Sequence, residues 1–486
     1  MTLTDSTTAT AAQRASLPTI IQGGMGVAVS SWHLAKTVSQ AGQLGVVSGT
    51  ALDVVVARRL QDGDTDGSIR RALSHFPIPE MAQRILDRYF KPEGRTKPTY
   101  APSPTLGLNP SVNANELSIV ANFVEVWLAK EGHDGVIGIN FLEKVQMATP
   151  PAAYGAMLAN VDYVLMGAGI PAEIPAMLDK LANHEFASIS VDVDFATQKY
   201  EIELDPQTLT ELKLPPLHRP TFLAIVSSHI LAAFLYRVEA TRPDGFVIEG
   251  PTAGGHNTPP RAKDSIDEDG QSIFGPRDEA DLVKLAAIGL PFWLAGGRST
   301  PNMVADAISH GATGVQVGTT FALSLDSGFT DLVRDELITK LREESFVVRT
   351  DALASPTGFP FMVATVEGTM SEEAVYEARP RLCDLGYLRV PYERTPGVVG
   401  YRCPSEPVHM YIKKKGEESE TVGRKCLCNG LMASIGLGQI RPDGYEEPRL
   451  VTMGSDLSGA KELIKKYPHG WTATQAIEYM LSAIKA

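Results

Sequence analysis

The sequence predicts an eight-stranded parallel barrel of the (β/α)8 type, a TIM barrel. Short apolar runs recur along the first two thirds of the chain, and helix-like stretches follow nearly all of them. Most of the runs are continuous rather than alternating, as expected for parallel strands that are covered on both faces. The predicted strands are residues 19–22, 44–48, 136–141, 163–166, 222–226, 245–249, 292–295 and 314–317.

Start and stop signals mark the helices between these strands. Ser31 is a good cap for a helix that Gly42 would end. Further stretches carry a proline near their start or have apolar residues at helical spacing. The predicted helices are residues 31–41, 171–181, 228–240, 278–288 and 300–310.

Two insertions interrupt the repeat of strands and helices. Residues 53–134 are too many for one helix with its loops, and their amphipathic segments predict a helical subdomain or lid after the second strand. Residues 187–220 alternate at period two in two runs, which predicts a β-hairpin before the fifth strand.

The composition changes after about residue 345, where glycine, proline and arginine become more frequent. We therefore expect a barrel over residues 17–345 and an accessory region with four cysteines over residues 346–486. The Thr-, Ala- and Ser-rich residues 1–16 lack the apolar core of a signal peptide, so we expect a disordered tail on a cytoplasmic protein.

The charge and hydropathy exclude two classes of partner. The net charge is −13, whereas nucleic-acid binding needs clustered lysine and arginine, so we expect no nucleic-acid partner. No apolar run approaches the roughly 18 residues of a membrane helix, so we expect no membrane partner.

The last two predicted strands each end in glycine, as FWLAGG and GVQVGT. At the carboxyl end of a barrel, such glycines form a cup in which bare backbone N–H groups approach a phosphate. Gly296, Gly297, Gly318 and Thr319 are therefore candidates to hold a phosphate-bearing cofactor or substrate.

His256 follows the sixth predicted strand within the sequence EGPTAGGH. At the rim of a barrel, an imidazole can exchange a proton near neutral pH and is a candidate catalytic group. The alternative is that His256 only fixes the geometry of its loop through hydrogen bonds.

The first predicted strand ends in Gly23, Gly24 and Met25, where backbone and a flexible thioether suit a flat ring system. The fingerprint Gly-x-Gly-x-x-Gly is absent after this strand, and a Walker-type phosphate loop is also absent. The sequence thus argues against a Rossmann domain.

In this order, the segments PTIIQGGMG, GINFL, EGPTAGGH, LAGG and GVQVGT resemble the nitronate monooxygenase family, formerly the 2-nitropropane dioxygenases. The related FMN-dependent enoyl-acyl-carrier-protein reductases share the layout. The resemblance spans about residues 17–325 and implies an FMN-binding TIM barrel with His256 in its active site.

The resemblance also implies which residues contact FMN. The phosphate would lie against the glycine cup, Gln316 near the ribityl chain, and the first and third strands and the loop before His256 against the ring. The implied contacts are Gly23, Gly24, Met25, Asn140, Ala253, Gly254, Gly255, Gly296, Gly297, Gln316, Gly318 and Thr319.

All four cysteines lie in the last 104 residues, namely Cys383, Cys403, Cys426 and Cys428. Four thiolates are enough for one zinc ion or iron–sulfur cluster, although the spacing is not that of a familiar finger. The alternative is buried free thiols, in which case we expect a docking or dimerisation element and a homodimer.

We therefore expect an FMN-dependent oxidoreductase that oxidises a nitronate or similar carbon acid with O2. One alternative is an NAD(P)H-dependent FMN reductase acting on an enoyl thioester or a quinone, because the same barrel and histidine serve both reactions. Another is a non-catalytic barrel that serves as a scaffold.

Overall fold

Eight parallel strands form the centre of the molecule, and hairpins surround them. The computed structural model describes residues 17–262, 267–268 and 271–484, so the tail predicted at residues 1–16 lies outside the described residues. In chain order the strands are β1 (Ile20–Gln22), β2 (Gly45–Ser48), β3 (Ile137–Leu142), β4 (Tyr163–Gly167), β5 (Ala187–Val191), β6 (Tyr200–Leu204), β7 (Thr221–Val226), β8 (Gly245–Glu249), β9 (Phe292–Ala295), β10 (Gly314–Val317), β11 (Val348–Asp351), β12 (Phe361–Ala364), β13 (Val390–Thr395) and β14 (Val398–Arg402).

The central sheet has the order β1-β10-β9-β8-β7-β4-β3-β2, with every neighbouring pair parallel. Its two edge strands meet, because the Gln22 N–H donates to the Leu44 carbonyl at 2.9 Å and the Leu44 N–H donates to the Ile20 carbonyl at 3.1 Å. The eight predicted strands thus close into the predicted TIM barrel. The remaining strands pair antiparallel as β5–β6, β11–β12 and β13–β14.

Helices cover the outside of this barrel. In chain order they are α1 (Trp32–Gln40), α2 (Leu52–Gln61), α3 (Ser68–Leu73), α4 (Pro79–Tyr89), α5 (Val112–Lys130), α6 (Thr149–Leu158), α7 (Ile174–Ala182), α8 (His229–Arg237), α9 (Leu282–Ala286), α10 (Pro301–Ser309), α11 (Thr319–Ala322), α12 (Asp331–Arg342), α13 (Glu373–Ala378), α14 (Val408–Lys413), α15 (Leu427–Ser434), α16 (Ser458–Lys466) and α17 (Ala473–Met480). None of the helices in the described part of the chain is both long and apolar enough to cross a membrane.

The strands are buried on both faces, as their continuous apolar runs predict. Inside the barrel, Leu165, Leu223 and Trp293 belong to one apolar cluster, and the Trp293 indole N–H donates to the Pro18 carbonyl at 2.8 Å. The outer faces pack against the helices in a second, larger cluster. This double burial makes the barrel a rigid support for the loops at its carboxyl end.

Two parts of the helical layer come from far along the chain. Helix α5, from the insertion after β2, packs between α1 and α6. Helix α17, at the carboxyl end of the described chain, packs against α1 and α10 and so fills the place of an eighth barrel helix. Residues after 345 therefore share the core of the barrel, as the fully buried Trp471 also shows.

Candidate active site

A cavity opens at the carboxyl ends of the barrel strands, where the loops after β1, β3, β8, β9 and β10 converge. This is the end at which parallel barrels carry their active sites. All thirteen residues predicted for cofactor binding and catalysis line it, namely Gly23, Gly24, Met25, Asn140, Ala253, Gly254, Gly255, His256, Gly296, Gly297, Gln316, Gly318 and Thr319. The structure therefore brings them together, whatever the role of each.

The glycines at the ends of β9 and β10 form the predicted cup between two adjacent strands. Gly296 and Gly297 have φ of +83° and +63°, a backbone conformation that side chains rarely adopt. At the end of β1, a Cβ on Gly24 would lie 2.4 Å from the Asn140 Cβ. These glycines keep bare backbone at the cavity wall, as a phosphate and a flat ring require.

Two buried acceptors in the cavity wall have no hydrogen-bond donor among the described residues. They are Gln316 Oε1, on β10, and Asp456 Oδ2, in the loop before α16. Asp456 faces the cup, because a Cβ on Gly297 would lie 3.1 Å from its Oδ2. Unpaired buried acceptors are costly, so this wall suits a ligand with hydroxyl donors, such as the ribityl chain of FMN.

His256 lies in the cavity wall, where residues far away in the chain hold its ring. Its Nε2 lies 2.7 Å from Ser355 Oγ, and its ring meets the Phe361 ring edge-on with centroids 4.9 Å apart. Within the described residues, no hydrogen bond involves its Nδ1, which leaves that atom for a ligand. No signal in the sequence marks Ser355 as a site residue, because the segment ASPTGFPF carries only turn signals.

Burial sets the protonation of His256. It lowers the pKa of the imidazole from 6.5 to about 4, and the positive charge of Lys144 acts in the same direction. His256 is therefore neutral near pH 7. A neutral imidazole with so low a pKa is a weak base, but it can donate a hydrogen bond to an anion.

Glu249 ends β8 in the same wall. Burial alone raises the pKa of its carboxyl from 4.5 to about 7. The group is thus close to half-ionised at neutral pH, in contrast to His256. No signal in the sequence marks Glu249 as a site residue, because a glutamate at a strand end has no distinctive pattern.

The segment after residue 345 supplies much of the remaining wall. Tyr387, Leu388, Leu427 and Cys428 line the cavity together with Met453 and Gly454. The Tyr387 hydroxyl donates to Asp53 Oδ1, a carboxyl that is only 3% exposed. Neither Tyr387 nor Asp53 was selected from the sequence, since they are more than 300 residues apart.

The predicted metal or cluster site is not found. Among the described residues, no group of three or more His, Cys, Asp or Glu side chains is placed to hold a metal ion, and Cys383, Cys403, Cys426 and Cys428 are free thiols. Cys426 occupies the N-cap position of α15, and Cys428 lies in the first turn of that helix. Burial raises the pKa of all four thiols, in Cys428 to about 12, and nearby thiols of the same group raise the pKa of Cys403, Cys426 and Cys428 further.

Residues 213–352 match the family model described as nitronate monooxygenase. The match extends from β7 to β11 and confirms the resemblance predicted from the motifs. The chain is therefore an enzyme, an FMN-dependent oxidoreductase. No curated protein sequence matches the chain.

Several solved structures are similar to this chain at low identity. FabK from Thermotoga maritima is 16% identical with a TM-score of 0.48, covering 96% of this chain and 93% of its own. Nitroalkane oxidase from Streptomyces ansochromogenes is 14% identical with a TM-score of 0.43, covering 96% of each chain. The enoyl reductase domain of MlnA from Bacillus amyloliquefaciens is 11% identical with a TM-score of 0.46, covering 96% of this chain and 94% of its own. At these values the likenesses establish no activity for this chain.

Proposed function

We propose that this chain oxidises a nitronate or a similar carbon acid and passes the electrons to O2, with FMN as its cofactor. The observation that carries the proposal is the convergence of the predicted FMN contacts and His256 on one cavity at the carboxyl end of the barrel. The family match over residues 213–352 supports the same reaction class.

The cavity wall offers a place for each part of FMN. The cup at Gly296, Gly297 and Gly318 suits the phosphate, and the unpaired oxygens of Gln316 and Asp456 suit the ribityl hydroxyls. When bound, FMN supplies the two-electron acceptor for the substrate and the site of its own reoxidation by O2. The protein positions the substrate and sets the charge around it.

His256 stabilises the substrate as an anion in this proposal. Its Nε2 is occupied by Ser355, so Nδ1 can donate to a nitronate oxygen. The low pKa of His256 favours this role over deprotonation, because a base with a pKa of about 4 takes a proton from a carbon acid only at a large free-energy cost. A nitronate needs no such base, since it is already an anion.

The test starts from the purified protein as isolated. We expect a yellow protein from which acid releases FMN, and oxygen consumption when ethylnitronate is added in air. Under anaerobic conditions, ethylnitronate should bleach the flavin. A colourless protein that does not take up added FMN contradicts the proposal.

The same assay separates the alternatives. Rapid bleaching by NADH or NADPH without nitronate supports the reductase, which an enoyl thioester or a quinone would then reoxidise. A flavin that responds to neither donor supports a scaffold without catalytic activity.

A further inference from the structure

The cavity wall contains a tyrosine that the proposed function does not use. Tyr387 lines the wall, and its hydroxyl donates to the carboxyl of Asp53. Tyr387 comes from the loop before β13 and Asp53 from the first turn of α2, so the pair joins the C-terminal segment to the insertion after β2.

Asp53 lies behind Tyr387 as seen from the cavity. Tyr387 lines the cavity, whereas Asp53 is 3% exposed and does not line it. Asp53 Oδ1 accepts the Tyr387 hydroxyl and the N–H of Val54 at 2.8 Å. The Tyr387 phenol oxygen therefore connects the cavity to the buried carboxyl of Asp53.

Tyr387 lies in an apolar part of the cavity, together with the ring of Phe361. It packs in the same cluster as Phe361, whose ring meets that of His256, and as Leu388 and Leu427. In such surroundings few water molecules compete for a proton, and a phenol oxygen that already donates to a carboxylate has free lone pairs for a substrate.

We propose that Tyr387 and Asp53 form a proton relay that lets the enzyme accept a neutral carbon acid, and not only its preformed anion. The inference rests on the proposed function and names a further catalytic residue, Tyr387, with Asp53 acting through it. It gives the site a base other than His256.

The step balances as a double proton transfer. The C–H bond of the substrate breaks and its proton forms an O–H bond at Tyr387 Oη, while the original Tyr387 proton passes to Asp53 Oδ1. The electron pair of the C–H bond stays on the substrate, which becomes the carbanion, a nitronate in the case of a nitroalkane. After product release, the reverse transfer through Tyr387 returns the proton to water at the mouth of the cavity.

The test compares nitroethane with ethylnitronate as substrates of the flavin-loaded enzyme. The wild type should oxidise both, and deuterium at the reacting carbon should slow only nitroethane. In Tyr387→Phe and Asp53→Asn, kcat/KM should fall at least about tenfold more for nitroethane than for ethylnitronate, as expected when proton transfer is lost. Asp53→Asn can still accept the Tyr387 hydroxyl but cannot take up its proton.

The chain offers a matched control in a second Tyr–Asp pair. The Tyr100 hydroxyl donates to Asp62 Oδ2 at 2.7 Å, and neither residue lines the cavity. Tyr100→Phe should leave the ratio of the two kcat/KM values at the wild-type level.

Three outcomes overturn the relay while leaving the proposed function intact. In the first, the wild type oxidises ethylnitronate but not nitroethane. In the second, kcat/KM falls equally for both substrates in the two variants. In the third, deuterium at the reacting carbon does not slow the oxidation of nitroethane by the wild type. If Tyr387→Phe does not fold, Asp53→Asn and the wild-type measurements still decide the question. Failure of the proposed function looks different, because ethylnitronate itself is then not oxidised.

Discussion

Two ionisable residues of the cavity wall differ in their charge near neutral pH. His256 and Glu249 lie in the same wall, but burial lowers the pKa of His256 to about 4 and raises that of Glu249 to about 7. Burial disfavours the charged form in both cases, so the base and the acid shift in opposite directions. Near neutral pH, Glu249 therefore changes its charge, whereas His256 stays neutral.

Replacement of His256 tests its contact with the substrate. We expect His256→Ala to lower kcat/KM for ethylnitronate about 10²-fold, because a positioned hydrogen-bond donor to an anion is lost. The flavin spectrum should be retained. His310→Ala, on the exposed end of α10, is the control, and full activity of His256→Ala would mean that the imidazole only holds its loop.

Glu249 should make stability depend on pH. Its folded pKa is about 7 against an ordinary 4.5, so between these values the unfolded chain releases a proton that the folded chain keeps, and stability falls as the pH rises. Glu249→Gln removes this loss. Its Tm should exceed that of the wild type by more at about pH 8 than at about pH 5.

An exposed glutamate serves as the comparison for this measurement. Glu239→Gln should change Tm equally at both pH values. A difference between Glu249→Gln and the wild type that does not vary with pH would show that the Glu249 carboxyl ionises normally.

At the scale of elements, the ends of strands and helices follow local signals closely. Ser228 accepts a hydrogen bond from the Leu231 N–H at the start of α8, and Thr300 accepts one from the Met303 N–H at the start of α10, with Pro301 in its first turn. Ser31, the predicted cap of α1, holds the N-cap position but makes no such hydrogen bond. The predicted helix at 171–181 begins three residues later in the structure, at Ile174, because Pro171 precedes a turn.

The loop before α16 brings a carboxylate to the cavity wall formed by other elements. Gly454 N–H donates to Thr319 Oγ1 at 2.9 Å, which brings Asp456 to the cup formed by β9 and β10. We expect Asp456→Ala to weaken FMN binding about tenfold, because an acceptor for a ribityl hydroxyl is lost. Fluorescence quenching of FMN during titration measures the affinity.

The exposed Asp335 on α12 provides the control for this variant, since Asp335→Ala should bind FMN as the wild type does. Tighter binding by Asp456→Ala would show instead that the carboxylate faces the phosphate and repels it.

At the scale of the whole molecule, the C-terminal segment completes the barrel. Trp471 is fully buried and donates its indole N–H to the Thr320 carbonyl at 3.0 Å. We expect Trp471→Ala to lower the free energy of unfolding by about 3–5 kcal/mol, the usual cost of removing a buried aromatic side chain. Urea denaturation measures the change.

A truncated chain tests the same point. Residues 1–345 lack α16 and α17 and should not form a stable flavin-binding barrel, because apolar positions on the outer face of the barrel lose their cover. The variant Leu332→Ala, at a residue 68% exposed, should cost little stability. A well-folded yellow truncated protein would contradict this view of the fold.

The sequence by itself determined the barrel and one side of the cavity. Continuous apolar runs that end in glycine identify parallel strands, and all carboxyl ends of such strands meet at one rim, so Gly24, Asn140, His256 and Gln316 had to come together. This logic is local and periodic, which is why it can be read along the chain.

Only the tertiary structure determined the other side of the cavity. Ser355, Tyr387 and Asp456 reach the cavity through contacts with residues far away in the chain, and no periodic pattern announces such contacts. The four cysteines predicted a metal or cluster from their number and clustering, but spacing in the sequence does not show how the fold arranges the thiols, which form no metal site among the described residues. Strand ends are placed by local physics, whereas the partners that surround a ligand are placed by packing of the whole chain.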